Sequence, residues 1–181
     1  MKLKLKKVRL AFPQLWEAKT VNGEGKPSFS AALLIDPMDP QIAEINKAIT
    51  ATAGATWGQK AEAILKQMRA ADKVCLHDGD LKSTYDGFAG MFYISARSYT
   101  RPSVFDRDKT PLLEADGKPY AGCYVNAVLE LWAQDNNYGK RINASLSGIQ
   151  FDSDGDSFTG GGSASEEEFD DLTTTTEEDL I

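Results

Sequence analysis

Between Met91 and Arg101 the side chains alternate in a way that suits contact with unpaired nucleic acid. In an extended chain Phe92, Ile94, Ala96 and Ser98 face one way, and Tyr93, Ser95, Arg97, Tyr99 and Arg101 the other. The first set suits a core. The second interleaves rings with guanidinium groups. Rings stack on any base, at roughly 1–3 kcal/mol each, while guanidinium groups meet phosphates, so the pair needs no particular sequence. A solvated face with ordinary tyrosines would show the same alternation, and this stretch alone does not separate the two readings.

Three other stretches carry related chemistry. From Gly122 to Ala133, Tyr124, Asn126, Val128, Glu130 and Trp132 lie opposite the core-directed Val125, Ala127, Leu129 and Leu131. Trp132 is either a stacking platform or a cover over the end of the fold. From Lys140 to Phe151, Arg141, Asn143, Ser145 and Ser147 lie opposite Ile142, Ala144 and Leu146. The turn Asp135–Gly139 between them reads as a hairpin, which sets Tyr138, Lys140 and Arg141 at its tip. Lys2, Lys4 and Lys6 form a further basic row. Tyr85, Phe88, Phe105 and Arg107 add rings and cations in loops, and Phe88, among glycines, is expected to be exposed. One basic row is usually just a wet surface; three on one sheet read better as a groove. The expected contacts are Lys4, Lys6, Tyr85, Phe88, Tyr93, Arg97, Tyr99, Arg101, Arg107, Tyr124, Trp132, Tyr138, Lys140 and Arg141.

Other chemistries fit less well. His77, Asp78, Asp80 and Asp86 suggest a magnesium-dependent nuclease, since hard cations take carboxylates. Asp-Gly pairs are more often turns, and no Lys or Glu is spaced as a catalytic partner. Asp152-Ser-Asp-Gly-Asp156 starts like a calcium loop but lacks the closing glutamate. Gly23-Glu-Gly-Lys26 lacks the phosphate-loop pattern. One histidine and two distant cysteines, Cys75 and Cys123, exclude the usual zinc spacings and any triad needing another histidine. No metal, cofactor or enzymatic activity is expected.

The positioning elements follow from periodicity. Leu3, Leu5, Val8, Leu10 and Phe12 form one face of a strand whose phase slips at Lys6-Lys7, predicting a bulge there. Pro13 is expected to end it. Val21 to Pro27 reads as a turn, and Ser28 to Ile35 as a second strand. Asp39 caps a helix with Pro40 at its first position and Ile42, Ile45, Ile49 and Ala53 inward. Gly54 is expected to interrupt it, and a second helix to run from Trp57 to Ala71. Leu76 to Gly90 reads as irregular and residues 102–119 as a long loop. Five main strands with one helical insertion predict a mainly β fold, a small five-stranded barrel of OB type.

Charge divides the chain in two. Of its 27 acidic residues, eleven lie in the last thirty positions, which contain no Lys or Arg. Residues 1–151 therefore carry all 20 bases and a formal charge of +4, although the whole chain is at −7. A pI near 4.8 argues against nucleic acid only until the two segments are separated. Residues 1–151 are expected to form one domain, and residues 152–181 a disordered acidic tail that cannot bury enough apolar surface to order itself. Within it Glu166, Glu167, Glu168, Asp170 and Asp171 suit competition for a phosphate groove, and Asp179-Leu180-Ile181 suits a partner contact. The start of the chain alternates without a long apolar run, so neither a signal peptide nor a membrane span is expected. Two lone cysteines suggest a reducing cytoplasm.

Asp78-Gly-Asp80, Tyr93-Ile-Ser-Ala-Arg-Ser98, Arg101-Pro102, Tyr120-Ala-Gly-Cys-Tyr-Val-Asn-Ala127, Tyr138-Gly-Lys140 and Leu146-Ser-Gly-Ile-Gln150 together resemble phage single-stranded-DNA-binding proteins of the enterobacterial-phage type. These are related at fold level to the acidic-tailed replication protein of the T-odd phages. The resemblance covers most of residues 1–160. It implies an OB-fold, sequence-independent binding of single-stranded DNA, a role in replication, recombination and repair in the infected host's cytoplasm, and replication or recombination proteins as partners of the tail. Self-association is compatible with it. An OB barrel usually carries its helix after the third strand, whereas two strong strands precede it here. That leaves Glu17–Val21 and residues 72–82 as places for another. The main alternative is a protein-interaction module without nucleic acid, its tail docking on a basic partner. RNA remains open on the residues alone, because stacking and phosphate contacts do not read the sugar.

Overall fold

The computed structural model describes residues 1–21, 23–158, 169–170 and 172–173. The first strand is far longer than its sequence suggests. β1 runs from Lys2 to Val21, pairing through its first half with β6 (Tyr124–Asn136) and through its second with β2 (Glu24–Ile35). Leu3, Leu5, Val8 and Leu10 are buried along it as their alternation predicts. The bulge at Lys6-Lys7 is present, with Lys7 in a left-handed conformation (φ 50°). It is pinned from outside: Gln41 accepts from the Lys6 N–H and donates to its carbonyl, both at 2.7 Å, and the Lys7 N–H donates to Asn126.

Pro13 does not end β1. A second irregularity falls between Ala11 and Gln14, where the missing proline N–H is tolerated, and the strand bends and continues. Phe12 takes φ 47° there and turns out of the core that its parity assigned it to. The continuation includes Glu17–Val21, and β2 begins at Glu24 rather than Ser28.

β2 pairs antiparallel with β4 (Phe92–Ser98), and β4 pairs parallel with β7 (Gly139–Ser153). β7 pairs antiparallel with β6, which returns to β1. Five strands thus close a barrel in the order β1-β2-β4-β7-β6, which leaves no open edge among them. Two short strands flank it: β3 (Leu76–Asp78) along β4, and β5 (Ser103–Phe105) parallel to β7. Each lies in a stretch that composition assigns to a loop. Leu33, Ile94, Val125, Leu129, Leu131, Ile142 and Leu146 fill the interior.

Helices α1 (Gln41–Trp57) and α2 (Ala61–Ala70) lie between the second and third barrel strands, one strand earlier than in the usual OB arrangement. The helix begins at Gln41 with Pro40 at its N-cap position, one residue later than expected, and Asp39 accepts from the Gln41 N–H at 2.9 Å. Gly54 does not interrupt α1. The break comes at Gly58, which needs φ 55°, and a short 3-10 turn leads into α2. Ile45, Ile49, Ala53, Leu65 and Met68 close one mouth of the core. Cys75 and Cys123 are free and buried, and burial pushes their thiols up to about 12 and about 11.

Candidate nucleic-acid interface

The outer face of β2 and β4 has two halves with opposite characters. Register places Arg9, Leu34 and Tyr93 in one row, with Tyr124 beside Arg9. This row is covered. The loop after β3 folds over it, and Phe88 sits edge-on to Tyr93 at 5.1 Å and beside Phe12 at 5.8 Å. Ala11, Ala32, Leu34, Phe88 and Tyr93 form a second, small core outside the barrel. Tyr93 is 4% exposed and Phe88 1%. Neither offers a face to a base, which corrects both expectations. Parity put Tyr93 on the right side of the strand, but the loop then roofs it. Phe88 lies among glycines because they let that loop fold tightly, not because it is in water. Tyr85 stays half exposed, edge-on to Phe12 at 5.0 Å.

The row's other end is closed by the chain after β7. Arg9 donates through Nε to the Gly122 carbonyl (3.0 Å) and through Nη2 to that of Asp156 (2.8 Å). The Phe158 ring lies over the Arg9 guanidinium, 4.1 Å from carbon to centroid, and the Phe158 N–H donates to the Ala121 carbonyl. Tyr120 donates to Asp154 at 2.7 Å, and that carboxylate holds the phenol above its usual range. This strap crosses Tyr124, whose ring also receives Arg9 at 5.8 Å, so Tyr124 is only partly accessible. The expected boundary at Phe151–Asp152 thus falls inside β7, and packing continues through Phe158.

The other half of the face is open. Arg97 stands between Ser30 of β2 and Ser145 of β7, and Ser95 precedes it on the same side. These short side chains keep the floor low around one guanidinium. Tyr99 is 59% exposed, and Lys26 Nζ sits 4.6 Å from its ring centroid. Arg101 is exposed but partly engaged, donating to the Trp16 carbonyl at 2.7 Å. Among the described residues no carboxylate comes within ion-pair distance of Lys26, Arg97 or Arg101. Lys26 was missed because it precedes Pro27 in an apparent turn. Its period-two spacing with Ser28 and Ser30 was the signal that it lies on the strand.

The β6–β7 hairpin stands at one side. Tyr138 is 87% exposed at its tip, Arg141 is exposed beside it, and Trp132, opposite Asn143, is 45% exposed. Lys140 reaches Asp135 at 3.6 Å, and Asp135 also accepts from the Trp57 indole at 2.9 Å. The indole hydrogen bond, then Lys140, hold the Asp135 carboxyl below the usual aspartate range.

Lys4 and Lys6 do not join this face. They lie on the first half of β1, in a second groove with Phe105 and Lys109. Arg107 is exposed but donates to the Asp152 carbonyl, tying its loop to β7. Asp78 and Asp80 accept backbone N–H groups from Asp80 and Gly90, and among the described residues no His, Cys, Asp or Glu cluster is placed to hold a metal. Asp170 is exposed; the expected tail contacts Glu166, Glu167, Glu168, Asp171, Asp179, Leu180 and Ile181 lie outside the described residues.

Known proteins share this fold. The family model described as the single-stranded-DNA-binding protein of Enterobacter phage Enc34 matches residues 1–181. The chain is 49% identical over 184 residues to protein p50 of Acyrthosiphon pisum secondary endosymbiont phage 1, covering 100% of this chain and 99% of that one. The solved Enc34 protein in complex with single-stranded DNA superposes with a TM-score of 0.73 at 30% identity, over 87% of this chain and 89% of the other. The gp2.5 single-stranded-DNA-binding protein of bacteriophage T7 shares the fold at a TM-score of 0.54 and 12% identity, over 91% and 98% of the chains.

Proposed function

The chain belongs to the family of the Enterobacter phage Enc34 single-stranded-DNA-binding protein, and on that premise we propose that it coats single-stranded DNA irrespective of sequence. One observation carries the assignment to a surface: Arg97 on a serine floor beside the exposed Tyr99–Lys26 pair, with no carboxylate at ion-pair distance among the described residues. Cations there displace counterions from phosphates, and the ring stacks on a base. No group has to break a bond. Coating keeps strands from pairing with themselves, which suits replication, recombination and repair in the cytoplasm of an infected host.

The acidic tail works against the same cations. Its root is held at Phe158, on the covered half of the face. Glu166, Glu167, Glu168, Asp170 and Asp171 follow within thirteen residues, near enough to compete with phosphate for Lys26, Arg97 and Arg101. DNA displaces them, and the freed Asp179-Leu180-Ile181 end engages replication or recombination proteins. A salt titration of affinity for oligothymidylate and for a duplex of equal length, with full-length protein and a chain ending at Phe158, tests both parts. Expected are strong preference for the single strand, a steep salt slope and tighter binding without the tail at low salt. Equal affinity for duplex would end the single-strand reading; unchanged affinity on truncation would end tail competition.

A further inference from the structure

Two clefts flank β5, and both include Ser103 and Phe105 in their walls. The first, about 390 Å³, is bounded by Trp16, Arg101 and Leu113. The second, about 530 Å³, carries Lys4, Lys6 and Lys109 on its rim. Its floor is low for a reason visible in the register: Lys4 lies opposite Val128, Val128 opposite Gly148, and Gly148 opposite Ser103. A glycine in the middle of that row leaves a trough. Lys109 stands at a rigid turn tip, its N–H donating to the Asp106 carbonyl at 3.0 Å while the Asp106 N–H donates to Thr110 at 2.8 Å. No acid pairs with Lys4, Lys6 or Lys109 among the described residues.

The geometry points to a continuous single-strand path that leaves the Arg97–Tyr99 face at Arg101, sets a base in the cleft between Trp16 and Phe105, and crosses β5 into the lysine trough. Arg101 belongs both to the open face and to the first cleft, and Phe105 borders both clefts, so successive parts of the path share a lining residue; Glu114 is the carboxylate beside the first cleft. Clefts of this size are in the range that holds small organic ligands, enough for a base with its sugar. The chemistry repeats along the way: ring and guanidinium, then ring, then three ammonium groups. The path rests on the single-strand reading above. It makes Trp16, Phe105 and Lys109 binding residues and gives Lys4 and Lys6 a place in the site, downstream of the main face.

The test uses full-length protein and oligothymidylates of about 6 and about 16 nucleotides, within the span of OB-fold site sizes. The variants are Lys4→Ala/Lys6→Ala/Lys109→Ala together, and Phe105→Leu, which keeps apolar bulk at β5 and removes the ring. Unchanged melting shows that each is folded. On the long oligomer the triple variant is expected to lower the salt slope by about 2, at about 0.7 per phosphate contact. Phe105→Leu is expected to weaken that binding about 5- to 100-fold. Both variants should bind the short oligomer as wild type does. Equal losses on both lengths, or none on the long one, would overturn the path. So would a trough whose lysines govern only capture of a synthetic Glu177–Ile181 peptide. If wild type binds neither oligomer, the single-strand reading itself has failed and the path falls with it.

Discussion

The Phe158 ring centroid sits 4.1 Å from the Arg9 guanidinium carbon, while the same guanidinium donates to the carbonyls of Gly122 and Asp156. One arginine of β1 therefore holds the chain 149 residues later against the barrel. A protein ending at Phe158 should melt with the full-length chain. One ending at Phe151 should melt several degrees lower, at about 2–4 °C per kcal/mol for this size. Phe158→Ala alone should cost about 1–2 kcal/mol, from lost apolar burial and cation–π contact. Calorimetry of the four proteins checks this, and equal melting of both truncations would reduce the strap to a surface contact.

Gly122 makes the strap possible. It has φ 104°, and a Cβ there would fall onto the Asp156 carbonyl oxygen; one on Gly155 would fall onto the Gly122 carbonyl. Gly122→Ala combines left-handed strain with displacement of the strap and should cost at least about 2 kcal/mol in urea unfolding. A cost below about 0.5 kcal/mol would mean that the strap shifts freely.

Tyr99 and Phe88 should separate binding from stability. Tyr99→Ala should lose about 1–3 kcal/mol of oligothymidylate affinity with melting unchanged. Phe88→Ala should lose about 3–5 kcal/mol of stability, while the folded fraction binds DNA nearly as before. Paired titrations and denaturation curves give both quantities. The reverse pattern would put the DNA on the covered half of the face.

The Asp135 carboxylate ties the β6–β7 hairpin to α1 through the Trp57 indole. Its folded pKa lies below the ordinary aspartate value of about 3.9. The unfolded chain therefore takes up the proton first as pH falls. The link's contribution is complete above that value and fades as pH drops through the lower folded one. Trp57→Phe removes the largest cause, so carboxyl NMR should show Asp135 titrating closer to the ordinary range, with broader Tyr138 and Arg141 signals. An unmoved titration would leave Lys140 as the governing partner.

The sequence by itself determined which side of each strand faces the core. Period-two alternation depends only on backbone geometry, so Ile94, Ala96, Leu129 and Leu146 were legible, as was the bulge at Lys6-Lys7. Charge segregation was legible too, because it is a property of the chain and not of its path. Alternation does not say whether the outward side meets water. Tyr93 and Arg97 share a side of β4, yet one lies under Phe88 and the other in the open. That difference was decided by covers from distant parts of the chain, the loop after β3 and the strap ending at Phe158. Closure of the barrel separated Lys4 from Arg97 in the same way, by carrying β1 from β6 around to β2. Tertiary structure decided these points because burial depends on what packs over a residue, and register along one strand contains nothing about that.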